Sequence, residues 1–173
     1  SFTAMPYQQR EAPENPGLRP SYQGSNPISD VWALKAIDMV AQNIHSAVHD
    51  SSDSEARGQM LLAASFAGIG FGNAGVHLPH GMSYPVAGMV RDFVPEGYGS
   101  DHPMVPHGIA VIVNAPAVFR FTATASPRRH LAAAEALGGI LGQGTAHSLV
   151  KAQHFAGLLA NYAPPEVLSG WLA

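Results

Sequence analysis

Apolar residues recur every three or four positions between residues 31 and 48. They are Val31, Leu34, Ile37, Val40, Ala41, Ile44 and Val48. This spacing places them along one face of a helix, because an α-helix completes a turn in about 3.6 residues. The pattern predicts an amphipathic helix that begins after a cap at Ser29 or Asp30 and ends near residue 49.

A second helix is predicted over roughly residues 54–74. Ser52 and Glu55 have the spacing of a capping box, in which the two side chains satisfy backbone N–H groups at a helix start. After Met60 the segment is apolar on all sides, which is typical of a helix buried on every face. We therefore expect this helix at the centre of the domain.

Downstream of the second helix the pattern is less regular. Pro79 stands where a third, buried helix would begin over 80–90, and a loop rich in Gly, Pro and Asp follows over 91–106. Residues 107–121 fit a strand by their β-branched content. They fit equally well a short helix broken near Asn114, because proline and small residues follow that position.

The domain organisation follows from these elements. Residues 1–28 contain five prolines after position 5 and form an irregular segment, since proline removes backbone donors and disfavours helix in the residue before it. Further helices are expected over 128–137 and 146–162. Strands and helices do not alternate, so the fold class is predicted to be all-α, with one helical domain over 29–173.

Charged residues are unusually scarce. The 173-residue chain has 9 Lys and Arg against 12 Asp and Glu, a formal charge of −3, and only 12% of its residues are charged. This balance gives no electrostatic reason to expect nucleic acid or an anionic membrane surface as a partner. So low a charge content predicts that much of the surface is buried, either within the chain or against a partner surface outside it.

Other features of composition bear on the compartment. Cysteine is absent, which excludes disulfides, thiolate metal sites and a cysteine nucleophile and fits a reducing compartment. No apolar run reaches the roughly 18 residues that span a bilayer, so no membrane is expected. The N-terminus lacks a signal-peptide layout and begins with Ser1, which suggests a truncated or processed chain. We expect a cytoplasmic protein, or a protein of the mitochondrial matrix if the source is eukaryotic.

Four of the nine histidines fall close together in the sequence, at His77, His80, His102 and His107. Imidazole is the commonest neutral metal ligand in proteins and suits zinc, iron and copper. His80 and His107 are the strongest candidates because each stands in a Pro-His-Gly triplet, where the glycine lets a ligand approach closely. A helix that begins at each triplet would also disfavour the protonated ring.

A plainer interpretation stays open for every histidine. A histidine in an apolar stretch is often a core residue that hydrogen-bonds a carbonyl, and the spacing of His80 and His107 matches no short ligand motif. His77 suits a pocket-lining or supporting role, since Pro79 interrupts a continuous helix between it and His80. His102 is expected in solvent. The remaining five are expected on helix surfaces or in packing: His45, His49, His130, His147 and His154.

Four longer stretches carry a family resemblance. They read "GFGNAGVHLPHGMSYPVAGMV", "DHPMVPHGIAVIVNAPAVF", "RPSYQGSNPISDVWAL" and "EARGQMLLAASFAGIGFGNAG". Together they resemble the iron-containing (group III) alcohol dehydrogenases, most closely the hydroxyacid–oxoacid transhydrogenase branch. The resemblance covers residues 1 to about 137, while 138–173 diverge. It implies that the chain is the all-helical domain of an enzyme with a separate, Rossmann-like NAD-binding domain.

The resemblance also implies a metal centre. The family holds one divalent metal, Fe²⁺ or Zn²⁺, through an Asp, a His a few residues later, the His of an HGM motif and the His of a PHG motif. The last two correspond to His80 and His107, and the first two would lie just before Ser1. The metal acts as a Lewis acid on an alcohol oxygen while NAD accepts hydride. In the transhydrogenase branch, NAD then returns the hydride to an oxoacid.

Tyr84, Arg19 and Asn26 also become candidates, and His77 remains one. Tyr84 stands where the general family pattern has a second histidine, and we expect it to act in catalysis or line the substrate pocket, with a packing role as the alternative. Arg19 or Asn26 would approach a substrate carboxylate, with a surface loop as the alternative. His77 would line the same pocket.

Two functions are carried forward. The first is the metal-binding helical domain of an NAD-dependent alcohol dehydrogenase that oxidises a hydroxyacid or alcohol together with a missing nucleotide-binding domain or chain. The isolated chain is then expected to have little activity, because no glycine-rich phosphate-binding turn follows a strand in it. The second is a non-catalytic helical module that binds a metal or a protein partner. Either one allows a homo-oligomer.

Overall fold

A computed structural model describes residues 1–137, and this part of the chain is helical. The helices are α1 Pro27–His49, α2 Ser54–Ala74, α3 Leu78–Gly88, α4 His107–Ile112, α5 Ala115–Ala123 and α6 Pro127–Ala136. Within the described range the only β-type pairing is an isolated bridge between Pro6 and Ser25. The all-α prediction is therefore confirmed. The helix predicted over 146–162, with His147 and His154, lies outside the described residues.

The first helix begins earlier than the sequence predicted. The Asn26 side chain caps α1 by accepting a hydrogen bond of 3.0 Å from the Ser29 N–H, and Pro27 occupies the first turn. The predicted cap at Ser29 or Asp30 was wrong because proline at the first helical position has no N–H to satisfy and already holds a helical φ. The predicted end near residue 49 is confirmed.

The second helix has the predicted bounds and a different cap. The Asp53 carboxylate accepts a 2.8 Å hydrogen bond from the Ala56 N–H and so caps α2. Ser52, the predicted cap, instead donates through its backbone N–H and its hydroxyl to the Asp50 carboxylate in the preceding turn. A carboxylate is a stronger acceptor than a hydroxyl, which explains why Asp53 takes the capping position.

Small residues let α2 lie close against α1. The buried positions of α2 are Ala56, Ala63, Gly70 and Ala74. A Cβ at Gly70 would come within 3.3 Å of the Ala33 nitrogen, so the two backbones almost touch there. Trp32 and Phe66 pack beside this contact with ring centroids 5.3 Å apart. Shape complementarity between small residues therefore holds the longest pair of helices together.

The opposite face of α2 is uncovered in residues 1–137. Leu61 is 74% exposed, and Ile69 and Phe71 are about half exposed. The prediction that α2 is buried on all sides was therefore wrong for the described part of the chain, because apolarity indicates that a face favours burial without supplying its partner. No single described helix has the length and composition of a membrane span; α2 and α3 reach them only together, across a bend of 105°.

The ambiguous segment after the 91–106 loop is helical. It forms α4 and α5, and the break between them falls at Val113 and Asn114. The Asn114 amide donates back to the Ala110 carbonyl at 2.8 Å, and Pro116 stands in the first turn of α5. The broken-helix alternative is thus confirmed over the strand, since proline removes a backbone donor and restarts the helix.

The N-terminal segment, defined here as residues 1–26, is tied to itself and to the end of α2. Ser25 exchanges backbone hydrogen bonds with Met5 and Tyr7, at 3.2 and 3.1 Å. The Gly24 N–H donates to the Ala74 carbonyl at 2.8 Å. Gly24 has φ +87, and a Cβ there would lie 2.3 Å from the Met5 carbonyl oxygen. An irregular segment is therefore held in one conformation against the helices.

Arg129 of α6 connects the N-terminal segment to α1. Its Nε donates to the Phe2 carbonyl at 2.6 Å, and its guanidinium pairs in a forked arrangement with the Asp30 carboxylate. The guanidinium carbon also lies 4.1 Å from the centre of the Phe2 ring. Such a planar group satisfies a carboxylate and stacks on an aromatic ring at once, which a lysine could not do.

Gly75 allows the N-terminal segment to pack at the junction of α2 and α3. The residue has φ +83, and a Cβ there would lie 2.2 Å from the Tyr22 ring. Gly75→Ala should therefore lower the free energy of unfolding by about 1–3 kcal/mol, because alanine disfavours this backbone conformation and collides with the ring. Urea unfolding followed by circular dichroism measures the change.

Gly72→Ala provides the matched control for Gly75→Ala. Gly72 lies inside α2, and a Cβ there would meet nothing within 4 Å. We expect this variant to be as stable as the parent chain or up to about 1 kcal/mol more stable, since alanine favours helix over glycine. Equal effects of the two substitutions would contradict the proposed role of Gly75.

Replacing Arg129 tests the connection between α6, α1 and the N-terminal segment. Arg129→Met should lower the free energy of unfolding by about 1–3 kcal/mol, because the Asp30 carboxylate then stays mostly buried without its partner. Arg128 is exposed and adjacent, so Arg128→Met should change stability by no more than about 0.5 kcal/mol. A loss of stability in Arg128→Met as large as in Arg129→Met would contradict this interpretation.

Candidate metal centre

Two histidines distant in sequence lie side by side where α3 packs against α4. His80 is in the first turn of α3, and His107 is the first residue of α4. Their ring centroids are 5.3 Å apart and the ring planes are inclined at 58°. The structure therefore brings together the two Pro-His-Gly histidines that the sequence singled out.

Local hydrogen bonds fix the backbone around His80. Its N–H donates to the His77 carbonyl at 3.0 Å, and its own carbonyl accepts a 2.6 Å hydrogen bond from the Ser83 hydroxyl. Ser83 is fully buried, so this hydroxyl is held in place. These hydrogen bonds hold the first turn of α3 in place. A side chain that binds a metal needs such support to keep its orientation.

The glycines that follow the two histidines leave space open. A Cβ at Gly81 or at Gly108 would meet no atom within 4 Å. Packing among the described residues therefore does not require glycine at these positions. Glycine at both positions therefore leaves room beside the backbone that follows each histidine.

The electrostatic setting favours the neutral form of the His80 ring. Burial lowers the pKa of His80 below its ordinary value, and the nearby His107 lowers it further because two adjacent imidazolium rings repel each other. His80 is partly buried, whereas His107 is exposed. Neutral imidazole is the form that binds metal ions, so His80 is suited to coordination at neutral pH.

The spacing of the two rings fits a shared metal ion. Imidazole nitrogens bind Zn²⁺ at about 2.0–2.1 Å, which places two ring centres on a tetrahedral ion roughly 5.3 Å apart. The observed 5.3 Å between His80 and His107 agrees with this geometry. Among residues 1–137 no group of three or more His, Cys, Asp or Glu side chains could hold a metal ion. The described residues therefore offer two ligands, and a catalytic centre needs at least one more.

His77 lies next to this pair and faces a cavity. Its Nε2 is 2.9 Å from the Thr3 hydroxyl of the N-terminal segment. The pKa of His77 is lowered to about 4, above all because burial disfavours the charged ring, with the terminal ammonium group and neighbouring histidines adding to the effect. His77 is therefore neutral at physiological pH and held by a partner from a remote part of the chain.

The cavity has a volume of about 430 Å³ and mostly apolar walls. Its apolar lining comes largely from α1, α2 and α6. His77 and His80 both line it, as do Thr3 and His130. A cavity with apolar walls and a few polar groups has the character of a small-molecule site.

His130 is the buried histidine that sequence reasoning placed only on a helix surface or in packing. It is 5% exposed, its Nδ1 lies 2.8 Å from the Ser126 carbonyl and its Nε2 lies 2.8 Å from the Thr122 hydroxyl. Its pKa is lowered, chiefly by burial. A sequence signal was available, because His130 shares an i, i+3, i+4 pattern with the buried Ala133 and Ala134.

The other candidate residues lie away from the cavity walls. Tyr84 is on α3 one turn after His80, and it is 75% exposed. Arg19 is exposed and its Nε donates to the Pro13 carbonyl at 3.0 Å. Asn26 is occupied as the cap of α1. His102 is exposed beside Asp101, as predicted.

The fold and this site define a class of protein: an all-helical domain that brings two histidines together at the starts of two packed helices. The C-terminal model of the Fe-containing alcohol dehydrogenase family matches residues 21–160. The chain belongs to this family, as the resemblance implied.

Similar proteins agree with this assignment. The mitochondrial hydroxyacid-oxoacid transhydrogenases of Rattus norvegicus and Xenopus tropicalis are 57% and 59% identical over 139 residues, which are 80% of this chain and 30% of each relative. The crystal structure of a 1,3-propanediol oxidoreductase is 30% identical with a TM-score of 0.68, over 82% of this chain and 35% of that one. The iron-containing alcohol dehydrogenase from Thermococcus thioreducens is 29% identical with a TM-score of 0.59, over 83% and 33%. The chain thus spans about a third of the length of the proteins it matches.

The low pKa of His77 predicts a dependence of stability on pH. The folded state holds this ring neutral down to about pH 4, whereas an unfolded histidine takes up a proton near its ordinary value of 6.5. The unfolded state therefore binds more protons between these values, and stability should fall as the pH drops from 6.5 to 4. After allowance for partial exposure, the contribution of His77 is about 2 kcal/mol.

Urea unfolding between pH 7 and pH 4.5 measures this effect. His77→Gln should flatten the dependence, because an amide does not titrate in this range and can still hydrogen-bond Thr3. The matched control is His102→Gln, since His102 is exposed and should leave the dependence unchanged. An unaltered pH dependence in His77→Gln would show that this ring is not the group responsible.

Proposed function

We propose that this chain is the metal-binding helical domain of an NAD-dependent, iron-type alcohol dehydrogenase, with His80 and His107 as two of the ligands of an Fe²⁺ or Zn²⁺ ion. The observation that carries the proposal is the 5.3 Å separation of two imidazoles at the starts of two packed helices. Membership of the family supports the same assignment. The remaining ligands would come from parts of the protein outside this sequence.

The roles of the residues follow from their settings. When bound, the metal would supply Lewis acidity toward an alcohol oxygen and NAD would supply a hydride acceptor, and His80 and His107 would hold the metal. His80 is held by the rigid first turn of α3 and can keep its ring in one orientation. His107 is exposed and marks the side from which substrate and cofactor would approach. Neither ring is required to transfer a proton.

His77 and Tyr84 are proposed to shape the substrate site. His77 lines the cavity together with His80, and its hydrogen bond to Thr3 fixes its orientation. Tyr84 lies one turn from His80 and is mostly exposed, which argues against a pure packing role in the described structure. Its hydroxyl is therefore free to hydrogen-bond a substrate from the open side.

The substrate is proposed to be a small hydroxyacid or alcohol. The relatives with 57% and 59% identity carry the name hydroxyacid-oxoacid transhydrogenase, and we propose the same reaction here. A carboxylate needs a cationic or amide partner, and we propose Arg19 in preference to Asn26. The Asn26 side chain is already committed to Ser29 and Gly24, whereas the Arg19 guanidinium is exposed.

The complete enzyme requires a nucleotide-binding part. The helical fold of residues 1–137 includes no strand after which a phosphate-binding turn could follow. We propose that NAD binds to a separate domain or chain that docks on the side where His107 is exposed. For the compartment we propose the mitochondrial matrix if the source is eukaryotic, in line with the names of the relatives, and the cytoplasm otherwise.

A second candidate function is a non-catalytic module that binds a protein partner. The observation in its favour is the exposure of large apolar side chains, among them Tyr84, Met89 and Phe121, each at least 72% exposed. Such residues mark surfaces that bind other surfaces. The same exposure is expected if a nucleotide-binding domain covers them, so turnover by the metal-loaded full-length protein separates the two candidates.

Removing either histidine tests the proposed centre. In the full-length protein, His80→Ala and His107→Ala should each reduce the bound Fe²⁺ or Zn²⁺ from about one ion per chain to nearly none, because a catalytic site depends on its three or four protein ligands. Metal analysis after gel filtration gives the content, and turnover of a hydroxyacid with NAD should be lost in parallel. The absorption spectrum of the Co²⁺-loaded protein gives a readout independent of activity.

The control for these variants is His102→Ala. His102 is exposed in the loop that precedes α4, so its replacement should leave metal content and turnover unchanged. Full metal content in both His80→Ala and His107→Ala would exclude them as ligands. Stoichiometric metal in a catalytically silent full-length protein would favour the non-catalytic module.

A further inference from the structure

A second pair of histidines lies on the surface of α1. His45 and His49 are four residues apart, so they stand one above the other on the same face of the helix. Their ring centroids are 4.5 Å apart and the ring planes are inclined at 54°. Both residues are exposed, and neither lines the cavity beside His80.

The rings of His45 and His49 lie closer together than those of the inner pair, His80 and His107, whose centroids are 5.3 Å apart. Two imidazole nitrogens bound at about 2.0–2.1 Å with a right angle between them place the ring centres roughly 4.6 Å apart. At the observed 4.5 Å, both rings can reach one ion when their exposed side chains rotate. A right angle between nitrogen ligands is the preference of Cu²⁺ and Ni²⁺.

The electrostatic setting also favours a cation. His49 is in the last turn of α1, where the helix dipole is negative. Asp50 follows directly as the C-terminal cap residue of α1 and adds negative charge next to His49 in the chain. Since both rings are exposed, their side chains can adjust to an ion without disturbing the core.

We propose that His45 and His49 form a peripheral site for a tetragonal divalent ion, Cu²⁺ in preference to Ni²⁺, with water in the remaining positions. The preference follows the general order of affinities for nitrogen ligands. Among the residues that the structure describes, no third His, Cys, Asp or Glu joins the pair, so the site is open to solvent and exchangeable. The proposal does not depend on the function of the inner pair.

Copper titration of the 173-residue chain tests the site. The background is the double variant His80→Ala/His107→Ala, so that the inner pair cannot contribute. Calorimetric titration with Cu²⁺ should show one ion bound, and electron paramagnetic resonance should show nitrogen ligation. The chain has no cysteine, so thiol oxidation by copper does not interfere.

Three further substitutions in this background decide the matter. His45→Ala and His49→Ala should each weaken Cu²⁺ binding about tenfold or more, because chelation by two rings is lost, while His102→Ala should leave it within about twofold. Thermal unfolding with Ni²⁺ gives a second readout: the midpoint should rise by a few degrees in the background and not in His45→Ala.

Unchanged Cu²⁺ affinity in both His45→Ala and His49→Ala would overturn the proposal. So would an equal loss in His102→Ala, since that would indicate non-specific binding to exposed imidazoles. Failure of the inner centre would instead appear as full metal content in the His80→Ala and His107→Ala variants of the full-length protein. The two proposals can therefore fail separately.

Discussion

The contact on which the described structure most depends is that of the Arg129 guanidinium with Asp30 and Phe2. Asp30 belongs to α1, Arg129 to α6 and Phe2 to the N-terminal segment, so one planar cation joins three parts of the chain. Both charged side chains are mostly buried, and each would be costly without the other. Because the contact holds Phe2, it also positions the next residue, Thr3, whose hydroxyl lies 2.9 Å from the His77 Nε2.

The positions of His77 and His80 depend on this arrangement through a few contacts. The N-terminal segment packs Tyr22 against Gly75, where α2 ends, and α3 begins three residues later. His77 is therefore held on one side by Thr3 while its carbonyl receives the N–H of His80. Burial keeps both rings from charging. His80, a proposed ligand, is thus positioned by contacts that run through the N-terminal segment, and metal centres depend on such supporting contacts.

Sequence patterns predicted the helices better than their caps or their surroundings. The apolar periodicity of α1 and the bounds of α2 were readable because each helix repeats its signal over many turns. The caps at Asn26 and Asp53 differ from the prediction by a few residues, since several neighbouring polar side chains can satisfy the same N–H groups. The burial of α2 was overestimated because apolar residues on every face do not specify which face finds a partner.

In the site, features that are local in the sequence were predictable, and contacts that only the tertiary fold creates were not. His80 and His107 could be singled out because the Pro-His-Gly triplet is a local feature, and the resemblance gave them a common role. The hydrogen bonds of His77 to Thr3 and of His130 to Thr122 join residues whose proximity only the tertiary fold creates. Two imidazoles 5.3 Å apart form a complete metal site only if further ligands reach the same ion. His107 is the exposed member of the pair, so in the proposed enzyme the further ligands would reach the ion from its side.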